Sequence, residues 1–298
     1  MILAVASVLD PGAAAQTPGP TALNHAYVVL DSVTFEAVRT SEFLRKQFAI
    51  SYQPRDSAVS ERSRHTLYLT GRQTYLELFG PGAMAGPIGF TGIAYGFDEP
   101  GRLEWAQGQW EGMLGVSLLI FTRTFTRADG SEGVWFRSVS IPPAADTTDP
   151  GSIGVWTWAM EYGPEFLRDR LGDPEEAPFV TRERHNRAVV ALRRLEPDRP
   201  LEDIVGLTLA LPLPRADSFL AELAAVGFLI AEDGEGHAAQ GNGFQIRVVP
   251  QEQGGPGLKA IRFRLIGPIS SQQHVIGNST LDVHPDGTAI WTLAPPVR

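Results

Sequence analysis

The apolar and polar positions of the chain repeat one order of elements. Leu23–Asp31 reads as a strand, Ser32 offers a helix N-cap, and Phe35, Val38, Phe43, Leu44 and Phe48 recur at roughly helical spacing. Strands are predicted at Arg64–Thr70 and Thr74–Phe79, and Pro81-Gly82 closes this first block. The order restarts with a strand at Phe90–Asp98 and a helix at Pro100–Met113. Val116–Arg127 and Gly133–Ile141 read as a hairpin around Ala128-Asp129-Gly130, and the strand Val155–Tyr162 ends the second block. Residues 163–198 are charged, carry Pro164, Pro174 and Pro178, and read as a short helix plus a connecting segment. A third block begins at Asp203, with a strand through Pro212, a helix over Arg215–Val226 and strands at Phe228–Glu232 and Phe244–Val249. Leu258–Ile266 opens a fourth block without a helix, which ends with strands at Ser279–Val283 and Thr288–Leu293. Strand, helix, strands, repeated, predicts an α+β fold with curved, antiparallel-rich sheets rather than a doubly wound parallel sheet.

Composition narrows the chemistry. Of 298 residues, 31 are glycine and 23 proline, which suits many turns between short strands. The net charge of −9, without a basic cluster, argues against nucleic acid and anionic membrane surfaces as partners. No apolar run has the ~18–20 residues of a membrane span. There is no cysteine, so disulfides, thiolate metal sites and cysteine nucleophiles are excluded. Met1–Leu9 is apolar and Ala13-Ala14-Ala15-Gln16 looks like a small-residue cleavage site, so a secreted or periplasmic location is expected, although no Lys or Arg precedes the apolar stretch. Folded structure is expected to begin near residue 22. Nucleotide-loop, nucleophile-elbow and zincin motifs are all missing from the sequence.

Residues 24–31 align without gaps on residues 91–98, and both segments sit in the same strand–helix context. With Leu23–Asp31, Tyr75–Pro81, the restart Gly92–Asp98 and the late strand Trp158–Tyr162, the chain resembles the vicinal oxygen chelate superfamily, the glyoxalase, bleomycin-resistance and extradiol-dioxygenase group. Within it, the Leu23–Asp31 opening is similar to an uncharacterised secreted, glyoxalase-like group. The resemblance implies paired βαβββ modules that form cup-like mixed sheets around a divalent metal. It further implies a domain at 22–163, made of modules 22–82 and 88–163, a connector at 164–200 and a degenerate second module pair at 201–298. Carried over by position, the metal ligands fall on His25 and Glu77 in the first module and Glu161 in the second, while the fourth position falls on Gly92. The implied metal is Mn, Fe, Zn, Ni or Mg, in a three-ligand site with open positions for a small oxygen-rich molecule.

The residues support this reading from a second direction. Alternation along strands puts His25 with Tyr27 and Val29, and Glu77 with Tyr75 and Phe79. On the strand ending at Tyr162, the small residues Val155, Thr157 and Ala159 share a face with Glu161 and are expected to wall a cavity, whereas the bulky face with Trp156 and Trp158 needs cover. Gly92, Ala94 and Gly96 are expected to leave space where the fourth ligand is missing. The competing interpretation makes His25 a hydrogen-bonded interior histidine and pairs the two glutamates with arginines. Arg123 and Arg137 are candidates for a substrate carboxylate or for an ion pair with Glu161. Tyr27 and Tyr75 are expected to shape the pocket. His65 and His185 are candidate fourth ligands or bases, each with a solvated alternative. In the third block Gly206 and Arg247 fall where His25 and Glu77 sit in the first, so the second half lacks the ligand set.

Three functions follow. The leading one is a metal-dependent lyase, isomerase or ring-opening enzyme acting on a small molecule. The second is a metal-free protein that binds or sequesters a small molecule in the same cup. The third is an extradiol-type dioxygenase, which wants two histidines where one is in place. Monomer and homodimer are both open.

Overall fold

The strand at the centre of the first half, β1 (Ala22–Val29), is buried along all eight residues. In the computed structural model, residues 17–53, 65–84, 86–141, 154–173, 175–234, 236–251, 256–267 and 270–293 are described. The apolar N-terminal segment and its cleavage-like Ala13–Gln16, together with Arg64 and Pro174, lie outside the described residues. After β1 come α1 (Ser32–Thr40), a π-helical segment (Phe43–Phe48), β2 (Ile50–Tyr52), β3 (Thr66–Thr70) and β4 (Tyr75–Phe79). The second block runs β5 (Thr91–Gly96), α2 (Arg102–Leu114), β6 (Phe121–Thr126), β7 (Glu132–Ser140) and β8 (Val155–Tyr162). Two helices follow, α3 (Pro164–Leu171) and α4 (Arg182–Leu192). The α1 cap is Asp31, not the expected Ser32, because the Asp31 side chain accepts from the Thr34 amide and hydroxyl.

The second half runs β9 (Leu201–Leu211), α5 (Leu213–Ala225), β10 (Leu229–Asp233), β11 (Gly236–Gln240) and β12 (Gln245–Pro250). It then continues through β13 (Gly257–Leu265), β14 (Gln272–Ile276), β15 (Ser279–Val283) and β16 (Thr288–Thr292) without an intervening helix. Both halves form eight-stranded mixed sheets of one order, β2-β3-β4-β1-β5-β8-β7-β6 and β10-β11-β12-β9-β13-β16-β15-β14. Each is a pair of βαβββ modules joined through their first strands, the α+β vicinal oxygen chelate arrangement, and the fourth module has lost its helix. Among the described residues no helix is long and apolar enough to cross a membrane.

One core serves both sheets. Leu23, Val28, Phe35, Trp110, Ala159, Phe219, Ile261 and Trp291 all belong to it. Trp110 on α2 is fully buried and its indole N–H donates to the Glu222 carbonyl of α5 at 3.1 Å. The Glu222 carboxylate is buried too, held by Arg215 at 2.5 Å and by the Thr157 hydroxyl at 3.2 Å. At the other end of the interface, Asp203 of β9 accepts from the Gln73 and Thr74 amides at 2.8 and 2.9 Å, just before β4. Gly277, at φ +60°, sits where a Cβ would meet the Thr34 backbone at 2.4 Å. The halves are thus welded by buried polar anchors within a shared apolar layer, and they should unfold together. Replacing Trp110 by Ala removes an aromatic at this junction. The expected cost is about 3–5 kcal/mol in a denaturant titration, with a single transition for both halves.

Candidate functional site

The register of β1 decides which side chains meet on the concave face. β1 pairs in parallel with β4, His25 opposite Tyr75 and Tyr27 opposite Glu77. It pairs antiparallel with β5, His25 opposite Ala94 and Tyr27 opposite Gly92. β5 in turn pairs in parallel with β8, Gly92 opposite Trp156 and Ala94 opposite Trp158. His25, Tyr27, Tyr75, Glu77, Gly92, Ala94, Trp156 and Trp158 therefore share one face. The His25 ring lies in an aromatic box, stacked on Tyr75 at 4.4 Å and edge-on to Trp158 at 5.3 Å. Its Nε2 lies 3.8 Å from Glu77 Oε1.

A chain of hydrogen bonds sets the chemistry of this histidine. Asn24 is the extra residue of a β-bulge between Leu23 and His25, which turns its buried side chain toward the ring. Asn24 Oδ1 can only accept, and it stands 2.8 Å from His25 Nδ1 and 3.2 Å from the Tyr162 hydroxyl. The His25 hydrogen is therefore on Nδ1, and Tyr162 donates to Asn24. Tyr162 in turn lies 2.9 Å from the Tyr75 hydroxyl, so the Tyr75 O–H donates to Tyr162. With Nδ1 protonated, Nε2 presents its lone pair. Burial, aided by the charge of His185, pushes the His25 pKa down to about 3, so the ring is neutral. Burial likewise raises Tyr75 and Tyr162 well above the usual phenol range, which keeps both hydroxyls protonated.

His185 joins the cluster from α4. Its ring stacks on Tyr162 at 3.5 Å and tilts toward Tyr75 at 6.2 Å, and burial lowers its pKa to about 4. Arg182 anchors α4 through Asp98 at 2.6 Å and through the Leu23 carbonyl at 2.8 Å. Asn24, Tyr162 and Arg182 were not among the residues singled out from the sequence. Asn24 lies inside the Leu23–Asp31 opening beside His25, the one signal that pointed toward it.

Several expectations are corrected here. Glu161 is not brought to His25. It lies on the opposite face of β8, toward the helix layer, where Arg137 binds it at 2.7 Å and also reaches Glu104 of α2 at 2.5 Å. The local twofold of the β1–β5 register exchanges His25 with Gly92 and Tyr27 with Ala94. The counterpart of Glu77 is therefore the β5-paired neighbour of Ala94, which is Trp158. The small residues of β8 do not wall a cavity. Val155 and Ala159 lie in the main core, where small side chains let the helices approach, and the tryptophans line the concave face. Arg137 is likewise on the helix side and cannot serve the cup. Arg123 is exposed on the outer strand β6, remote from His25 in the strand order. His65 stacks on Phe35 of α1 at 5.9 Å, also on the helix side.

Gly92 does not leave space. A Cβ built there would lie 2.0 Å from Cε1 of Tyr27, so the tyrosine ring fills the position of the missing ligand. At Gly96 the neighbours are Arg182 and Asn24. Of the four metal positions implied by the resemblance, two hold His25 and Glu77, one holds a glycine covered by a phenol ring, and one holds an indole. Among the described residues no three His, Asp or Glu side chains come together as a metal site. This donor set does not fit the metal.

A family model described as a family of unknown function, DUF5829, matches residues 23–293. The chain belongs to the DUF5829 family. Among solved structures it is similar to a hypothetical protein from Staphylococcus aureus, with 9% identity over 87% of this chain and 97% of that one, TM-score 0.49. It is similar to a xylose isomerase-like TIM barrel/4-hydroxyphenylpyruvate dioxygenase fusion protein, with 13% identity over 86% of this chain and TM-score 0.46, and it spans 38% of that protein's length. Homoprotocatechuate 2,3-dioxygenase from Arthrobacter globiformis is similar at 15% identity over 91% of this chain and 79% of its own, TM-score 0.38. No curated protein matches this DUF5829 chain.

Two outcomes are expected. Gly92→Ala forces the Tyr27 ring out of its seat and should destabilise by about 1–3 kcal/mol. Most of that cost should vanish in the Tyr27→Leu background, which a double-mutant cycle in denaturant reads directly. The two buried neutral histidines make stability depend on pH. The unfolded chain takes up protons near the ordinary histidine value of 6.5, while the folded chain does not until about 3 and 4. Stability is therefore full above the unfolded value and is lost as pH falls below it, by about 1.4 kcal/mol per pH unit for each histidine down to its folded pKa. His185→Gln and His25→Gln should each flatten the curve, measured as denaturation midpoint against pH.

Proposed function

We propose that this chain is a metal-independent small-molecule binding protein built on the vicinal oxygen chelate fold. The observation that carries the reading is the packing of Tyr27 over Gly92, together with Trp158 at the counterpart of Glu77: two coordination positions have become aromatic lining. The ligand is a planar molecule that lies on the concave face. Trp156, 43% exposed, offers a ring for stacking. Glu77, whose side chain is partly exposed, supplies a carboxylate for an N–H, O–H or cationic group.

The test has two arms. Metal-stripped protein is titrated with Mn, Fe(II), Zn and Ni, and no stoichiometric binding is expected. One equivalent of metal that is held by the protein and lost in His25→Ala and Glu77→Gln would restore the metal-dependent enzyme reading. In the second arm, tryptophan fluorescence is followed during titration with planar aromatic amines and phenols. Saturable quenching is expected, weakened about tenfold or more by Trp156→Ala.

A second reading, metal-free acid–base catalysis at His25, is favoured by the fixed Nδ1–H tautomer and the lone pair at Nε2. It predicts that His25→Gln retains ligand binding and abolishes turnover, whereas a binding protein shows no turnover to abolish.

A further inference from the structure

We infer that the cleft at the outer edge of the first sheet is a binding site for a dianionic group, a phosphate monoester or a dicarboxylate. The site lies at the sheet edge, joined to the His25 cluster by the row Tyr52, Tyr68 and Glu77, and the inference does not depend on the reading above. β2 is the outermost strand there. Beside it lies a cavity of about 390 Å³ lined by Arg39, Arg45, Arg193, Ser51, Tyr52 and Leu195.

Three arginines line this cleft in a chain of net charge −9. Arg39 is neutralised by Glu36, which accepts from its Nε at 2.9 Å and its Nη2 at 2.6 Å. Among the described residues no carboxylate pairs with Arg45 or Arg193. Arg45 Nη1 donates to the Arg39 carbonyl at 3.2 Å, and Arg193 Nη1 to the Gln53 carbonyl at 3.4 Å. These arginines stand at or near the ends of helical segments, where a cation meets exposed carbonyls. That role engages one nitrogen of each guanidinium, and both residues line the cleft. Among the described residues neither Arg45 nor Arg193 has a carboxylate at ion-pair distance, although the charge of Arg45 also acts on the exposed Glu42, and a group carrying two negative charges could bridge the two guanidiniums.

The site is also rigid where it matters. The Arg193 guanidinium lies 4.1 Å over the Tyr52 ring, and Tyr52 stacks on Tyr68 at 4.8 Å with an interplanar angle of 10°. Arg193 thus stands on a two-ring stack, so little side-chain entropy is lost when its planar fork engages an oxyanion. Burial pushes the Tyr52 hydroxyl up to about 12, so this side chain adds no negative charge to the cleft. Leu195 leaves an apolar wall for the organic part of a ligand.

Isothermal titration calorimetry on the full chain at low ionic strength tests the assignment, with inorganic phosphate in one arm and malonate in the other. Saturable binding of at least one is expected. The stronger arm tells a phosphate ligand from a dicarboxylate. Arg45→Gln and Arg193→Gln should each weaken binding about tenfold or more, the loss of a charge-assisted hydrogen bond. Arg168→Gln, which removes one exposed positive charge elsewhere, should leave binding unchanged. Absence of saturable heat with both anions overturns the inference. So does an equal loss in Arg168→Gln, which would reduce the effect to net charge.

Discussion

At the middle of the first sheet every residue of β1 is buried, so its backbone groups must find partners in β4 and β5. That requirement fixes the register on both sides, and the register fixes which side chains share the concave face. A slip of one residue would turn His25 and Tyr27 to the helix layer and carry Ala26 and Val28 out of the core. The bulge at Asn24 is the one irregularity on the β5 side, and it delivers the amide oxygen that accepts from Nδ1–H of His25, which holds the hydrogen there and leaves the lone pair on Nε2. Local geometry and site chemistry are thus the same fact, seen at two scales.

The same register explains why the site is neutral and aromatic. Tyr27 needs room at Gly92, and Trp158 takes the place that pairs with Ala94. With indole and phenol rings around His25, water is excluded and a charged imidazole is disfavoured. The hydroxyls, the Asn24 oxygen and Nδ1 of His25 are satisfied by one another, from Tyr75 through Tyr162 and Asn24 to His25. Such a chain tolerates burial because each donor has an acceptor.

Much of this was legible in the sequence. The strand–helix order, the gapless match of residues 24–31 on 91–98, and the grouping of His25 with Tyr27 and of Tyr75 with Glu77 on their own strands follow from alternation and spacing, and the β1–β4 register then puts the two pairs on one face. Three short strands escaped: β2 and β14 lie at sheet edges, and β11 is a short run of small and polar residues with little strand propensity. The error at Glu161 has a definite cause. Alternation separates the two faces of β8 but does not say which one meets the helices, and small residues suit a close helix contact as well as a cavity wall. Only pairing with β5 resolves it, since Trp158, not Glu161, lies beside Ala94. Likewise a glycine signals close approach without naming what approaches, and at Gly92 it is the Tyr27 ring.

The second sheet repeats the device with different side chains. Gly206 of β9 pairs with Gln245 of β12 and Arg262 of β13, and a Cβ at Gly206 would meet Arg262 Nε at 3.0 Å. Arg247, at the register position of Glu77, is bound to Asp233 at 2.8 Å. In both sheets a glycine on a central strand accepts a large side chain from the strand beside it. The module seam is thus kept by packing in both sheets, and the two halves differ in what fills it. Aromatic rings and a neutral histidine fill the first sheet, which suits a planar ligand. Arginines locked to acceptors fill the second, which suits a scaffold. The shared core and the Asp203 and Glu222 anchors then give the second half its role: it holds β4 and α2 in place, and with them the register on which the His25 cluster depends.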